Sequence, residues 1–563
     1  MEGWARRKTR FSNRALLVSL SLLLSFTLLA EGCSKTEEKT NAPAGERKLS
    51  DSGPPAYGDL LIQGSIGDAS NLIPMLASDA ASHDIAGLIF NGLVKYDQNL
   101  NLIGDLAESW KVSDDGLTII FKLRQGVKWQ DGKEFTAGDV LFGFNTIINP
   151  HTRTAYAGDF KEVKEARAVD PYTLRVTYKR PFAPGLPSWG SLVVLPEHLM
   201  AGKDINTTPY SRKPIGTGPY LFKEWKTGEK IVLQANPDYF EGRPYLDGFV
   251  YRIIPDPATM FLELRAGGLD YMGLTPLQYN RQTDTYQMRR DFRKYKFLAF
   301  AYTYLGYNLK DWKFQDRRVR QAISHAIDQR EIIEGVLLGL GLGATGPYKP
   351  DTQWYNPNVR KYPYDVAKAR RLLAEAGWTD PGKGGLLKKG DQSFEFTILT
   401  NQGNELRARC AEIIQRRLGE IGIKVKIRTV EWAAFINDFI DKRNFEAVIL
   451  GWTLGQDPDI YDIWHSSKVG EKELNFISYQ NKEVDSLLEK GRYTFDVKVR
   501  KACYDRIQEI LAEDQPYTFL FVPYALPIIS ARFEGIEPAP AGIGYNMPKW
   551  YVSKAHQRYV LKP

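Results

Sequence analysis

The sequence predicts an α/β fold that is divided over more than one hydrophobic core. Apolar residues alternate with more polar ones at 117–123, which indicates a strand with one buried face. Far downstream, apolar patterns at 394–399, 405–418 and 425–429 follow one another as strand, helix and strand, which predicts a βαβ unit. Roughly 500 residues follow the N-terminal leader, and a chain of that length is expected to form several cores.

The leader, residues 1–32, has the pattern of a secretory signal peptide. Basic residues are concentrated before position 15, and residues 15–30 are uncharged and rich in leucine, a run too short for a typical membrane span. Cys33 follows Gly32 as in a bacterial lipoprotein cleavage site, although Glu31 is unusual there. We therefore expect lipidation at Cys33, and the alternative is ordinary cleavage with release of a soluble protein.

Residues 33–56 should form the lipidated cysteine and a flexible tether. The segment has almost no large apolar side chain, so it cannot bury enough surface to offset the entropy of ordering. No second long apolar run occurs in the sequence, so we expect contact with the membrane through the lipid anchor only.

Composition and motifs argue against several classes of protein. The net charge is +8, of which the leader carries a surplus of three, and so mild a charge over this length does not favour nucleic-acid binding. The six histidines are scattered without zinc-ligand spacing. The glycine pattern at 341–346 follows a predicted helix, not a strand, and therefore does not predict a dinucleotide site. We expect no catalytic site, no metal and no cofactor. Cys410 and Cys503 lie in helical patterns, as buried free thiols or as one disulfide.

Other elements can be placed from local patterns. Thr136 precedes Asp139 by three residues, which is a capping box at the start of a helix. The remaining elements that we expect, in chain order, are a strand at 57–64, a helix at 84–93, strands at 173–178, 231–235 and 247–254, helices at 257–264, 317–338 and 365–375, and a strand at 445–450.

The stretch 107–140 resembles the signature of the family 5 extracellular solute-binding proteins, which are the dipeptide- and oligopeptide-binding components of ABC importers. It reads A-E-S-W-K-V-S-D-D-G-L-T-I-I-F-K-L-R-Q-G-V-K-W-Q-D-G-K-E-F-T-A-G-D-V. The resemblance continues with G-T-G-P-Y at 216–220, N-P-D-Y-F at 236–240 and R-I-I-P-D-P-A at 252–258, and it covers nearly all of the chain after Tyr57.

The resemblance implies a fold of the periplasmic-binding-protein type, class II-like, with two lobes around a hinge and an additional inserted domain. The lobes that it implies are lobe I at 57–94, 207–303 and 534–563, lobe II at 95–206, which carries the signature, and lobe III at 304–533.

The function that the resemblance implies is capture of oligopeptides between the lobes and delivery to the permease and ATPase subunits of an ABC importer. The protein would be a monomer in the periplasm or on the outer face of the cell membrane. Two alternatives share the fold: a binder of another solute, such as an oligosaccharide or a metal complex, and a receptor that senses peptide without transport. An envelope enzyme is the alternative from another class, and no motif favours it.

In the family, the segment after a Gly-Trp pair lines the ligand cleft. Here it reads G-W-T-L-G-Q-D-P-D, which makes Trp452, Thr453 and Asp457 candidate ligand-binding residues. Many peptide binders carry an aspartate soon after the tryptophan that pairs with the peptide ammonium, but this loop is one residue shorter and lacks it. Asp457 could take that role. The alternative is that Asp457 and Asp459 cap the following helix.

Three further residues are candidates for the ligand site. Trp432 stands where the family often places a cleft tryptophan, and a large aromatic side chain offers contact area without demanding one ligand chemistry. Arg407 stands where some peptide binders hold the ligand carboxylate, although it could belong to a solvated basic helix face. Tyr304, at the start of lobe III, completes the set of candidates.

Overall fold

The computed structural model describes residues 53–190, 194–379 and 385–561. The predicted signal peptide, Cys33 and nearly all of the tether lie outside the described residues. The description that follows therefore concerns the folded chain from the end of the tether onwards, and it confirms the α/β fold with two lobes around a hinge.

Lobe I is built on a seven-stranded sheet that combines three separate parts of the chain. Leu60–Ser65, from the N-terminal segment, pairs in parallel with Gly248–Ile253 in the middle of the sheet. The strands, in spatial order, are Phe292–Lys294, Pro527–Ser530, Tyr271–Gly273, Leu60–Ser65, Gly248–Ile253, Lys230–Ala235 and Tyr220–Lys226. Its helices are Ala80–Ile89, Pro257–Ala266 and Tyr286–Asp291.

A buried ion cluster joins the three segments of lobe I. The guanidinium of Arg532, from the C-terminal segment, pairs with Asp59 near the N-terminus and lies 2.9 Å from the carboxylate of Asp270 in the middle segment. The three side chains are at most 4% exposed. A buried charge is tolerated only when it is paired and hydrogen-bonded, so this cluster fixes the relative position of the three segments.

Lobe II contains a four-stranded antiparallel sheet with the order Ala107–Val112, Thr118–Leu123, Thr173–Tyr178, Val163–Asp170. The predicted strand and the predicted capping box are both present. Thr136 accepts a hydrogen bond from the backbone of Gly138, and Asp139 accepts one from the backbone of Thr136, at the start of the helix Ala137–Ile148. The apolar core of lobe II is continuous with that of lobe I. These two lobes therefore form one packed block.

Lobe III contains a seven-stranded mixed sheet with a separate apolar core on each face. Six strands follow the order Phe297–Leu298, Tyr517–Ala525, Ala301–Tyr307, Ala447–Thr453, Glu395–Asn401, Lys424–Val430, and Gly341–Gly343 pairs with Tyr517–Ala525. The predicted βαβ unit is confirmed: Glu395–Asn401 and Lys424–Val430 are parallel neighbours joined through Glu405–Gly419. The other longer helices are Arg317–Ala326, Gln329–Gly335, Val366–Glu375, Lys482–Arg492 and Val497–Asp514.

Two helix predictions were wrong in their bounds. The helix expected at 84–93 spans Ala80–Ile89 because Asp79 caps it by accepting a hydrogen bond from the backbone of Ser82. The single helix expected at 317–338 is two helices, Arg317–Ala326 and Gln329–Gly335, because Asp328 starts a new helix by accepting from the backbone of Arg330. In both cases the position of a capping aspartate, and not the apolar periodicity, determines where the helix begins.

Two chain segments cross between lobe I and lobe III, and they form an antiparallel pair. Phe292–Lys294 lies in the lobe I sheet, whereas Phe297–Leu298 lies in the lobe III sheet. The other segment leaves the lobe III sheet after Ala525 and enters the lobe I sheet at Pro527. The lobe III boundaries expected at 304 and 533 therefore move to about 297 and 526, and the hinge consists of 294–297 and 525–527.

Cys410 and Cys503 are both buried and free. Each lies in a helix of lobe III, Glu405–Gly419 and Val497–Asp514 respectively. The disulfide alternative is therefore excluded, and both thiols act as small apolar groups in the packing of lobe III.

Candidate ligand-binding cleft

A cavity of about 900 Å³ lies between lobes II and III. Lobe II contributes Tyr96, Tyr156 and Asp159, and lobe III contributes the loops around Tyr348 and Asp457. Phe297 and Phe300, beside the hinge, and Ala539 and Pro540 of the C-terminal segment complete the lining. A cavity of this size between two bodies joined by a hinge is typical of a ligand site that closes around its occupant.

The parallel strands of lobe III position the predicted site. Three of them end at Asn401, Val430 and Thr453, and the carboxyl ends of parallel strands meet at one edge of the sheet. The first turn of the next helix places Arg407 at that edge, and the helix after Val430 starts at Trp432. The structure therefore brings Arg407, Trp432 and the Gly-Trp loop to the same end of lobe III.

Thr453 and Asp457 line the cavity, whereas Trp452 stands behind its wall. The Trp452 indole is half-buried, donates a hydrogen bond to the Tyr517 hydroxyl at 3.2 Å, and lies 5.6 Å from the Phe476 ring. Trp452 supports the loop that carries Thr453, and in this closed arrangement it does not face the cavity.

Trp432 lies where lobe III meets lobe I. An added Cβ at Gly67 of lobe I would stand 3.2 Å from the Trp432 ring, and the Trp432 indole nitrogen is buried with no hydrogen-bond partner in the described part of the chain. Nearby, Gly403 of lobe III has a positive φ and packs against the carbonyl of Pro255 of lobe I. Trp432 therefore lies at the contact between lobes I and III, and separation of these lobes would expose its indole.

The Arg407 guanidinium is held by a neutral hydrogen-bond acceptor. Its guanidinium donates to Asn401 Oδ1 at 2.8 Å and forms no ion pair with any residue that the structure describes. Burial lowers the pKa of the Arg407 guanidinium to about 10, which still leaves it charged at neutral pH. Arg407 is partly buried and hydrogen-bonded to Asn401, which distinguishes it from the exposed Arg409 and Arg416 of the same helix.

Tyr304 does not face the cleft, so the prediction that it binds the ligand does not fit its position. The side chain is fully buried, and its ring stacks on Tyr517 with the centroids 3.8 Å apart. Tyr304 belongs to the apolar cluster on one face of the lobe III sheet, together with Tyr302 and Trp464. The alternation along Ala301–Tyr307 directs Tyr304 into the core of lobe III, which the sequence alone could not reveal.

Asp457 is already paired. Arg500 donates to both of its carboxylate oxygens, at 2.7 and 3.1 Å, from a side chain that is 9% exposed. The same carboxylate accepts a hydrogen bond from the backbone of Asp459, and Asp459 accepts one from the backbone of Tyr461, the first residue of a short helix. Asp459 therefore accepts the first backbone N–H of that helix from one residue before its N-cap, Ile460. The charge of Asp457 is neutralised from behind the cavity wall by Arg500.

An ion network crosses the cleft between lobes II and III. The guanidinium of Arg492 lies 2.6 Å from Asp159 of lobe II and 2.7 Å from Asp459 of lobe III, and it is 3% exposed. Lys468 adds a second crossing, because its ammonium donates to the carbonyl of Ala155 of lobe II and lies 2.8 Å from Asp462 of lobe III. These contacts hold the two lobes together in the closed form.

The network contains more carboxylates than cations, and the pKa values of two of its aspartates are raised. Burial, reinforced by the nearby charge of Asp462, raises the pKa of Asp159 to about 8. Burial also raises the pKa of Asp459, against the opposing effect of Arg492. Sequence reasoning missed Asp159, Arg492 and Lys468, and it had no signal for them because the partners lie far apart along the chain.

Within 53–190, 194–379 and 385–561 no cluster of histidine, cysteine and carboxylate side chains could hold a metal ion. Over the same ranges, none of the helices combines the length and the apolar character needed to cross a bilayer.

A hinged pair of α/β bodies with a cavity between them is the arrangement of proteins that close around a ligand, periplasmic binding proteins among them. The family model described as "Bacterial extracellular solute-binding proteins, family 5 Middle" matches residues 101–472. The chain belongs to this family, as its signature predicted. Family 5 proteins are binding components of transport systems and not enzymes, and they act outside the cytoplasm.

The chain is similar along its whole length to the oligopeptide-binding protein AppA of Bacillus subtilis, with 36% identity over 98% of this chain and 100% of the relative. The structure of AppA with a nonapeptide matches with a TM-score of 0.84 over 89% of this chain and all of that one. DppA of Helicobacter pylori with the peptide STSA matches at 30% identity and a TM-score of 0.80, covering 89% and 99% of the two chains. NikZ of Campylobacter jejuni with Ni(L-His) matches at 28% identity and a TM-score of 0.80, covering 88% and 99%.

Proposed function

We propose that this protein captures oligopeptides between its lobes and delivers them to an ABC importer. The observation that carries the proposal is the cavity of about 900 Å³ between lobes II and III, in a chain 36% identical over its full length to an oligopeptide-binding protein. The cavity wall includes the loop 453–459 and several aromatic side chains. Such a wall suits an extended peptide, since backbone pairing gives affinity and apolar contacts tolerate varied side chains.

Capture would proceed by rotation about the hinge segments 294–297 and 525–527. Ligand binding stabilises the closed form because only that form offers both walls of the cavity, and the importer recognises the closed form. Trp432 lies at the contact between lobes I and III, and Arg407 lies at the same end of lobe III. In the open form they would be accessible, with Arg407 able to receive a carboxylate or carbonyl of the ligand and Trp432 able to pack on it.

Capture of a metal complex, the chemistry named for NikZ, is the competing function. Among the described residues that line the cavity there is neither histidine nor cysteine, which are the side chains that bind nickel-type metals best. The cavity therefore favours the peptide.

Native mass spectrometry of protein purified without denaturation tests the choice of ligand. We expect bound masses that fragment into peptide series, and calorimetry with a synthetic nonapeptide should show one binding site per chain. A co-purified metal complex or sugar, with no measurable peptide binding, would contradict the proposal. Incubation with a peptide pool should return every peptide intact.

We further propose that Cys33 is lipidated, which would hold a monomer at the outer face of the cell membrane. Cys33→Ser should abolish labelling by a fatty-acid analogue and move the protein from the membrane fraction to the soluble fraction. Cys503→Ser is the control, because that thiol is buried in lobe III and should not affect fractionation. Unchanged labelling of Cys33→Ser would refute the anchor.

A further inference from the structure

Lys349 is the one cationic side chain among the described residues that line the cavity. Its side chain is 10% exposed, and its ammonium lies 4.2 Å from the centre of the Phe300 ring. A lysine so far removed from water is normally paired with a carboxylate that is equally buried. The partner of Lys349 is different: Asp351, at 3.0 Å, is 56% exposed.

The aspartates of the cavity wall, unlike Lys349, have ion-pair partners that are buried. Arg500 pairs with Asp457, Arg492 pairs with both Asp459 and Asp159, and Lys468 lies 2.8 Å from Asp462. The side chains of these three cations are 9% exposed or less, so the pairs are complete without a ligand. Each of these carboxylates therefore already has a buried cation of the protein beside it.

The loop that carries Lys349 is held firmly. The hydroxyl of Tyr348 donates to the carbonyl of Pro458 at 2.6 Å, which joins this loop to the loop that follows Trp452. Gln508, 1% exposed, donates to the carbonyl of Trp354 and accepts from the backbone of Asn356. Lys349 is therefore presented to the cavity in one position and loses little freedom when a ligand pairs with it.

We propose that Lys349 receives a carboxylate of the bound peptide and thereby makes the cleft selective for ligands that carry a negative charge at that point. A ligand carboxylate would take the place of Asp351 at the Lys349 ammonium. The exchange is favourable because closure excludes water from the new pair, whereas the Asp351 pair is screened by solvent. The carboxylate can be the C-terminus of the peptide or the side chain of an acidic residue. The inference rests on the proposed peptide-binding function.

Calorimetry with one nonapeptide in four chemical forms tests the inference. The peptide carries a single glutamate and is used unmodified, as the C-terminal amide, with glutamine in place of glutamate, and with both changes. For the wild-type protein, removal of the carboxylate that Lys349 receives should weaken binding about tenfold to a hundredfold, as expected for a hydrogen bond to a charged group. Weaker binding of the C-terminal amide would identify the C-terminal carboxylate as the recognised group, and weaker binding of the glutamine form would identify the glutamate side chain.

Three variants separate recognition from stability. Lys349→Met should bind all four forms with equal affinity, and Lys349→Arg should keep the discrimination of the wild type. Asp351→Asn removes the competing carboxylate, so it should bind the unmodified peptide more tightly and gain nothing for the form that lacks the recognised carboxylate. This variant leaves Lys349 in place and carries the test even if Lys349→Met fails to fold.

The outcomes that overturn the inference are distinct from those that overturn the function. Equal affinity of the wild type for all four forms, or unchanged discrimination in Lys349→Met, would show that Lys349 only supports its loop. Loss of thermal stability in both Lys349→Met and Asp351→Asn, with no change in discrimination, would lead to the same conclusion. Failure of the wild type to bind any form would instead refute peptide binding itself.

Discussion

At the scale of single residues, the buried cluster of Arg532 with Asp59 and Asp270 has the largest structural consequence. Asp59 also accepts hydrogen bonds from the backbones of Arg558 and Tyr559, so it fixes the C-terminal segment as well. Burial raises the pKa of Asp270 to about 6 even though Arg532 is beside it. Such a group depends strongly on its cation, because an unpaired buried charge is costly.

Arg532→Met should therefore destabilise the protein by about 3–5 kcal/mol, since it leaves two buried carboxylates without a cation. Chemical denaturation followed by tryptophan fluorescence measures the change. Arg290→Met is the matched control, because Arg290 pairs with Asp291 at the surface and its loss should have little effect. Equal effects of the two substitutions would mean that the cluster does not hold lobe I together.

Asp457 illustrates a residue whose apparent role changes once its partner is known. Because Arg500 already binds both of its oxygens, Asp457→Asn should weaken binding of free and N-acetylated peptides to the same extent. It should also lower the free energy of unfolding by about 2 kcal/mol through the weakened pair. Calorimetry with both peptide forms and denaturation of the variant measure these effects. If Asp457→Asn lost affinity for the free peptide but not for the N-acetylated peptide, Asp457 would be shown to bind the peptide ammonium.

At the scale of elements, the short helix Ala157–Phe160 of lobe II is joined across the cleft to the helix Lys482–Arg492 of lobe III by the pair of Asp159 with Arg492. Asp159 has a pKa near 8 in this contact, well above the usual pKa of about 3.9 in an unfolded chain. Between these two values the folded protein binds more protons than the unfolded chain. The contribution of Asp159 to stability is therefore greatest at low pH and falls as the pH rises towards 8.

We expect the melting temperature of the wild type to fall between pH 5 and pH 8 relative to that of Asp159→Asn, which cannot ionise at this position. Calorimetric or fluorescence melts of both proteins across that range measure the difference. The amide can still accept a hydrogen bond from Arg492, so the variant preserves the contact. Parallel pH profiles for the two proteins would show that Asp159 titrates normally.

At the scale of the whole molecule, lobes I and II share a core, and lobe III has its own two. Motion is therefore expected about the two crossing segments, with lobes I and II moving as one block. Arg492 holds the closed form from the side of lobe III, because it pairs with a carboxylate on each side of the cleft.

Arg492→Met should favour the open form, because it removes the guanidinium that joins Asp159 of lobe II to Asp459 of lobe III and leaves both buried carboxyl groups without a cation. Small-angle X-ray scattering should show a larger radius of gyration without peptide, and peptide affinity should fall. Arg506→Met is the control: Arg506 is half-exposed and pairs with Glu483 and Glu509 within lobe III. A compact Arg492→Met protein with wild-type affinity would show that other contacts decide closure.

Local chemistry in the sequence was sufficient for much of the fold. The capping box at Thr136, the strand at 117–123 and the βαβ unit depend on residues close together in the chain, so periodicity and capping predicted them. The family signature then placed the hinged lobes and the Gly-Trp loop, and Thr453 and Asp457 do line the cavity.

The sequence by itself determined the class of fold, the order of its elements and the family, because each depends on local patterns or on a long ordered motif. Only the tertiary structure decided which charges remain available to a ligand. Arg500 lies 43 residues from Asp457, and Arg492 lies 333 residues from Asp159. The burial of Tyr304 and the solvent-exposed partner of Lys349 likewise depend on distant strands and loops. Pairing and burial in a closed cleft arise from contacts between remote segments, and no local pattern encodes them.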